Sequence, residues 1–278
     1  MIWFQEVFAV TRPIIGMVHL PALPGTPLFS GSTELRTLVR GVRADLDALQ
    51  EGGVDGVLFC NENDRPYTLT VGPEVVASMT RIVTDLLPYV RVPFGVDVLW
   101  DPLAALAVAK ATGAQFVRGV FTGAYAGDFG IWNTDPGRVW RYRASIGAAN
   151  VKLFYNINAE FAAPLAPRPI EAVARSAVMS AMAEALCVSG SMTGEEVANE
   201  LLERVKAAAG EVPVLANTGV TVENVSRKLA VADGAIVGTG FKVDGVTWNR
   251  VDPRRVEALM RVVRALRQNE PEAGIVRE

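Results

Sequence analysis

Two glycine-bearing stretches near the end of the chain, Asn217-Thr218-Gly219-Val220-Thr221 and Gly238-Thr239-Gly240-Phe241-Lys242, have the composition of an anion cradle. Glycine lets backbone N–H groups approach a phosphate, and a nearby helix N-terminus adds a favourable dipole and hydroxyl donors. Phosphate-binding residues are therefore expected at Asn217, Gly219, Gly238, Thr239, Gly240 and Lys242, against the alternative that the glycines merely turn the chain. His19 is the single histidine; it can exchange a proton near neutral pH or sit packed in a core. Lys152 lies in an apolar run, where a desolvated amine can form a Schiff base, although a simple charge partner explains it more economically. Asp97 and Arg118 are charges in otherwise buried runs, expected either to pair with each other or to serve as acid–base and oxyanion-holding groups. Asn156 joins them as an orienting amide. Asn61, Glu62 and Asp64 offer hard oxygen ligands that suit Mg²⁺, whereas no histidine or cysteine spacing suits zinc, and no motif demands another cofactor.

Those residues need a frame that brings distant segments together. From about residue 14 to 267, apolar β-rich runs alternate with amphipathic segments, the pattern of βα units around a parallel sheet. Eight strands are expected, starting near Ile14, Asp55, Pro93, Gln115, Val151, Ala185, Pro213 and Gly234. Several are apolar throughout, as strands buried on both faces must be. Asp101-Pro102, Asp135-Pro136 and Asp252-Pro253 each set a capping carboxylate before a proline suited to a first helical turn, and Thr193 with Glu196 fits a capping box. Val256, Leu259, Met260, Val263 and Leu266 form the stripe of an eighth helix. No GxGxxG follows the first strand, so a (β/α)8 TIM barrel of the ribulose-phosphate-binding type is preferred to an open doubly wound sheet.

In such a barrel ligands bind where strands end, which selects His19, Asn61 to Asp64, Asp97, Asp101, Arg118, Lys152, Asn156, Asn158, Ser189, Asn217 and Lys242. The stretch FTGAYAGDFGIW, Phe121 to Trp132, is expected as a loop over the mouth, either closing on a ligand or static. Residues 1–12 are an extension whose Trp3, Phe4, Val7 and Phe8 must cover the barrel or meet another subunit, so a homo-oligomer is expected; 13–267 form the barrel and 268–278 a tail.

Size and charge exclude several classes. The 278 residues suit one barrel. Against 30 acidic residues, 27 basic ones leave a net charge of -3, with no excess for a nucleic-acid backbone. No apolar run reaches the ~20 residues of a membrane span, and MIWFQEVFAVTRP does not read as a secretory leader, so a cytoplasmic protein is expected. Cys60 and Cys187 read as buried thiols.

At PIIGMVHLPALPG, DGVLFCNENDRPY, GVDVLWDPLAAL, FVRGVFTGAYAGDFG and DGAIVGTGFKVDG with a following Val-Asp-Pro, the chain resembles the BtpA family, in consistent order over residues 13–266. The resemblance implies a phosphate-binding barrel, with the phosphate region at Gly219, Gly238, Thr239, Gly240 and Lys242. The family pattern ends strand two in Glu-Asn before a Gly-Asp turn; here Cys60-Asn61 precedes Glu62-Asn63-Asp64. Its strand five leads to Asp and then Lys-His, here Asn156, Glu160 and Phe161, and its Gly-Ser-Gly is Asn217-Thr218-Gly219. Changed acids and bases imply an altered substrate or lost catalysis. The expected partner is a small phosphorylated metabolite, a sugar phosphate, acted on by an isomerase or lyase using Lys152 as electrophile or charge stabiliser, Asp97 and His19 as proton carriers, and Arg118 and Asn156 as orienting groups. The alternatives are a non-catalytic assembly or regulatory factor of the photosystem I biogenesis type, and a flavin phosphate in the same cradle.

Overall fold

A computed structural model of the chain describes residues 2–31 and 34–268. Eight parallel strands close into a barrel: β1 (Ile14–His19), β2 (Gly56–Cys60), β3 (Phe94–Asp97), β4 (Phe116–Gly119), β5 (Lys152–Asn156), β6 (Ala185–Val188), β7 (Val214–Ala216) and β8 (Gly234–Val237). Each expected apolar run became one of them. Sequential neighbours pair, and β1 closes the circle on β8 with Ile14 opposite Ala235. The fold is therefore the TIM barrel that the alternating pattern implied.

Strand periodicity sorts the side chains. Ile15, Met17, Leu58, Phe116, Phe154, Leu215 and Ile236 fill the barrel, while Ile14, Val18, Val57, Val117, Leu153 and Leu186 face the helices. Phe116 and Phe154 stack at 4.6 Å across the interior. Gly95 is required beside them, because a Cβ there would lie 2.3 Å from the Phe116 ring.

Helices α1 (Ile2–Phe8), α2 (Leu35–Gly52), α3 (Pro73–Leu86), α4 (Pro102–Thr112), α5 (Pro136–Ser145), α6 (Ile170–Met179), α7 (Asn199–Ala208), α8 (Val225–Leu229) and α9 (Pro253–Gln268) complete the described elements. The Asp101 side chain accepts hydrogen bonds from the N–H groups of Leu103 and Ala104, Asp135 from that of Arg138, and Asp252 from that of Arg254, as their spacing before proline predicts. The Thr193–Glu196 box is a correction: α7 starts at Asn199, and the Thr193 hydroxyl faces acidic side chains instead.

α1 plugs the lower end of the barrel. Phe8 lies 5.7 Å from Phe116 and Trp3 lies 5.9 Å from Phe154, ring centre to ring centre, so this apolar face covers the barrel itself. At the opposite end the expected mouth loop is instead a hairpin, Ala124–Gly127 with Gly130–Asn133, joined by Ala162–Pro164 into a three-stranded antiparallel sheet. Glycine-rich, short strands carry too little apolar alternation to announce themselves. The tail expected from 268 onward lies outside the described residues except for Gln268, which ends α9.

Candidate functional site

Where a strand's inward residue is apolar, the residue two further on points into the same lumen one layer higher. Met17, Gly95, Phe116, Phe154 and Leu215 are thus followed by His19, Asp97, Arg118, Asn156 and Asn217, all buried at the upper end. Asp97 and Arg118 pair at 2.6 Å, and the Arg118 guanidinium also donates to the Asn217 carbonyl at 2.8 Å. The Asn217 amide donates onward to the Ser189 hydroxyl at 2.8 Å and the Asn156 carbonyl at 3.3 Å. Ser189 donates to Glu160 at 3.0 Å, and the Thr193 hydroxyl reaches both Glu160, at 3.2 Å, and Glu62, at 3.5 Å. One polar chain thus runs from Asp97 to Glu62.

This chain floors a pocket lined by His19, Glu62, Trp100, Arg118, Glu160, Thr193, Gly194, Asn217 to Val220 and Gly238 to Gly240. Its cavity volume is about 30 Å³, room for a single water. Above it sits an aromatic cap: Trp100 lies 5.0 Å from Trp132, and Phe129, at the hairpin turn, lies 5.7 Å from Tyr67 and 6.1 Å from Phe161.

Charge inside this enclosure is strongly perturbed. Burial, reinforced by the neighbouring Glu160, pushes the Glu62 carboxyl up to about 7. Burial also raises Glu160 and Asp97, each opposed by the Arg118 charge. Burial opposes the charge on Arg118, yet the facing acids, Asp97 first, hold it firmly protonated. Burial and then the Lys242 charge lower His19 well below its ordinary value, leaving the ring neutral. Burial lifts the thiols of Cys60 and Cys187 out of reach of ionisation near neutrality, Cys187 to about 12.

The two glycine stretches do meet here, flanked by Gly194 from the β6 loop. Gly219 adopts φ +64°, and a Cβ there would lie 2.3 Å from the Glu196 backbone; a Cβ on Gly240 would lie 2.2 Å from the Val220 carbonyl. Close backbone packing between loops thus demands glycine at both positions. Gly238 differs, because its missing Cβ would face His19 Nε2 at 3.3 Å.

Two expected site residues lie elsewhere. Lys152 points inward but in the lowest layer, four residues and about 13 Å below Asn156 along the strand. Its ammonium pairs with Glu184 at 2.8 Å and lies 5.1 Å from the Trp3 ring centre, which corrects the Schiff-base expectation to the charge-partner alternative. Lys242 turns away from the glycines into a neighbouring cavity beside Asp45. The Mg²⁺ ligand set also dissolves: Asp64 accepts from the Leu23 N–H and the Asn61 amide, whose carbonyl in turn accepts from the Leu99 N–H. Among the described residues no three His, Cys, Asp or Glu side chains are grouped to hold a metal ion. Asn158 braces the β6 loop through both the N–H and the carbonyl of Ser189. Thr193 is a pocket group that the sequence reading assigned to a helix cap, while Glu62, within the strand-end stretch Asn61 to Asp64, and Glu160, a changed family position, carry no acid–base role in that reading; the signal for all three is acid and hydroxyl residues within a few positions of strands β2, β5 and β6.

Fold and pocket together define a TIM barrel with a small pocket, lined by several charged side chains, at the C-terminal ends of its strands. The chain belongs to the BtpA family, whose sequence profile matches residues 10–265. It is 46% identical over 268 residues to the putative sgc region protein SgcQ of Escherichia coli (strain K12), covering 96% of this chain and all of that one. It is 31% identical over 274 residues to the photosystem I biogenesis protein BtpA of Synechocystis sp., covering 98% and 94% of the two chains. Among solved structures, one titled native KDPGal structure superposes with TM-score 0.56 at 17% identity, over 92% of this chain and 96% of that one. Phosphoribosyl anthranilate isomerase from Thermus thermophilus follows at 0.53 and 14% identity, covering 92% and 100%; at such identities the likeness is one of fold.

Proposed function

We propose that this protein is an enzyme that binds a small phosphorylated metabolite, a sugar phosphate, and moves a proton beside its carbonyl as an isomerase or lyase. The observation that carries this reading is Glu62: a buried carboxyl pushed up to about 7 by burial and by Glu160, lining the same pocket as the Arg118 guanidinium. A base tuned to the working pH takes a proton and returns it with little cost in either direction. Arg118, oriented by Asp97 and Asn217, is placed to stabilise the oxyanion that forms as the carbon loses its proton. Glu160 shares Thr193 with Glu62 and is suited to relay the proton to a second position. Neutral His19 can donate a hydrogen bond without adding charge. The loops at Gly219 and Gly238–Gly240 supply backbone for the phosphate.

A thermal-shift panel of phosphorylated sugars and carboxylic acids tests the binding class, since a ligand held only by the folded state raises Tm. One sugar phosphate should stand out, and Glu62→Gln should keep its shift while losing turnover by 10²–10⁴-fold. A panel without any shift, or full turnover in Glu62→Gln, would overturn the proposal. The name of the Synechocystis relative keeps an assembly-factor role as the second reading. Four titratable groups converging on one pocket weigh against it.

A further inference from the structure

Behind His19 lies a second cavity of about 410 Å³, bounded by the β1 loop, α2 and the segment after β8. Its charged lining is Asp45, Lys242 and Arg250, two cations against one carboxylate. Asp45 lies 2.7 Å from the Arg250 Nε and 3.6 Å from the Lys242 Nζ, and also accepts from the Val251 N–H at 3.2 Å. The carboxylate is thus fully engaged, while the Lys242 ammonium, 1% exposed, holds it only at long range. Burial lowers Lys242 from its ordinary value, opposed by Asp45. His19 also lines this space, 7% exposed, with the Thr247 backbone within hydrogen-bonding reach of its ring. Buried polar groups are retained with partners, and a buried ammonium that borders a cavity, with its carboxylate no nearer than 3.6 Å, has both the need and the room for a further acceptor.

We propose that this cavity is a binding site for a small oxyanion, the phosphate or carboxylate group of a metabolite, received by Lys242 and Arg250 with His19 as the wall shared with the closed pocket. The surplus of one positive charge suits a group carrying about one negative charge, and Asp45 keeps both cations in place when the site is empty. Thr37, Asn63 and Asn249 supply neutral polar groups around the bound group, and Trp248, with the Arg65 guanidinium 3.5 Å above its ring, borders the space. The site stands apart from the glycine loops and does not depend on the chemistry proposed for Glu62.

Because His19 is the only histidine, a protein labelled with ¹³C-histidine gives a single ring signal that reports on this wall. Inorganic phosphate and, separately, acetate are titrated into the full chain against chloride at matched ionic strength. At least one oxyanion should move the signal saturably where chloride does not, with the more effective anion naming the class. Lys242→Met should weaken the response at least tenfold. Thr37→Trp, at an exposed helix position lining the cavity, should do the same by filling the space while leaving the ion pairs intact, which keeps the test decisive if the lysine variant folds poorly. No saturable shift, or a shift of undiminished affinity in Thr37→Trp, overturns the site. Loss of the response in Arg118→Met together with its retention in Thr37→Trp would put the anion in the closed pocket and overturn it equally.

Discussion

At the scale of single residues, Glu62 carries the sharpest consequence. Its carboxyl titrates at about 7 in the folded chain against 4.5 ordinarily, so the folded state holds a proton that the unfolded chain has already lost. That contribution is fully present below pH 4.5, falls as pH rises, and is gone above 7; 2.5 units correspond to about 3 kcal/mol. Unfolding midpoints measured from pH 4.5 to 8 should therefore decline more steeply in the native chain than in Glu62→Gln. An active enzyme should show an inflection in kcat/KM near pH 7. Lys152→Met should leave both unchanged: Glu184 keeps Arg143 at 3.2 Å and the Leu153 N–H at 3.0 Å, so the cost is about 0–1 kcal/mol with ligand-induced Tm shifts unaltered. Sequence reading found Asp97, Arg118, Asn156, Asn217 and His19 because each is a polar group at the end of an apolar run recognisable as a strand. It misplaced Lys152 because a period of two reveals which side faces in, not which layer. Lys242 escaped because the chain after β8 turns through two short 3-10 helices, Thr239–Phe241 and Val243–Gly245, for which no periodicity exists.

At the scale of elements, the aromatic cluster beside the pocket bears on access. The cavity beside Trp100 is about 30 Å³, so a larger ligand needs room that displacement of Phe129, packed against Tyr67, Trp100 and Phe161, would supply. Association followed by stopped-flow tryptophan fluorescence should therefore be well below the diffusional ceiling of about 10⁸–10⁹ M⁻¹s⁻¹, and Phe129→Ala should speed both entry and release. Equal rates in the two proteins would show that the cap is no gate. The eight strands and the capped helices were legible because buried parallel strands and Asp-Pro starts are strong local signals. The cap was not, since its strands are held by pairing between segments nearly forty residues apart, with Tyr125 opposite Pro164.

For the whole molecule, closure of the circle is the weak seam, because β1 must find β8 across the length of the chain. Asp55 secures it: its carboxylate accepts from the Ile14 N–H at 2.8 Å and pairs with Arg267 of α9, which also donates to the Arg12 carbonyl at 3.0 Å. Arg267→Ala leaves Asp55 uncompensated and should cost roughly 3 kcal/mol in a urea titration, with the loss spread over all spectroscopic probes if the barrel unfolds as one unit. An unchanged midpoint would assign closure to apolar packing alone.

The burial of Glu62 has one more consequence. A hydrogen lifted from a ligand by this carboxyl, 4% exposed, would meet little solvent with which to trade places while the ligand is bound. Turnover in heavy water should then return much of the original hydrogen to the product, and deuterium incorporation should rise when Phe129 is trimmed, so that isotope content becomes a clock for the opening of the lid.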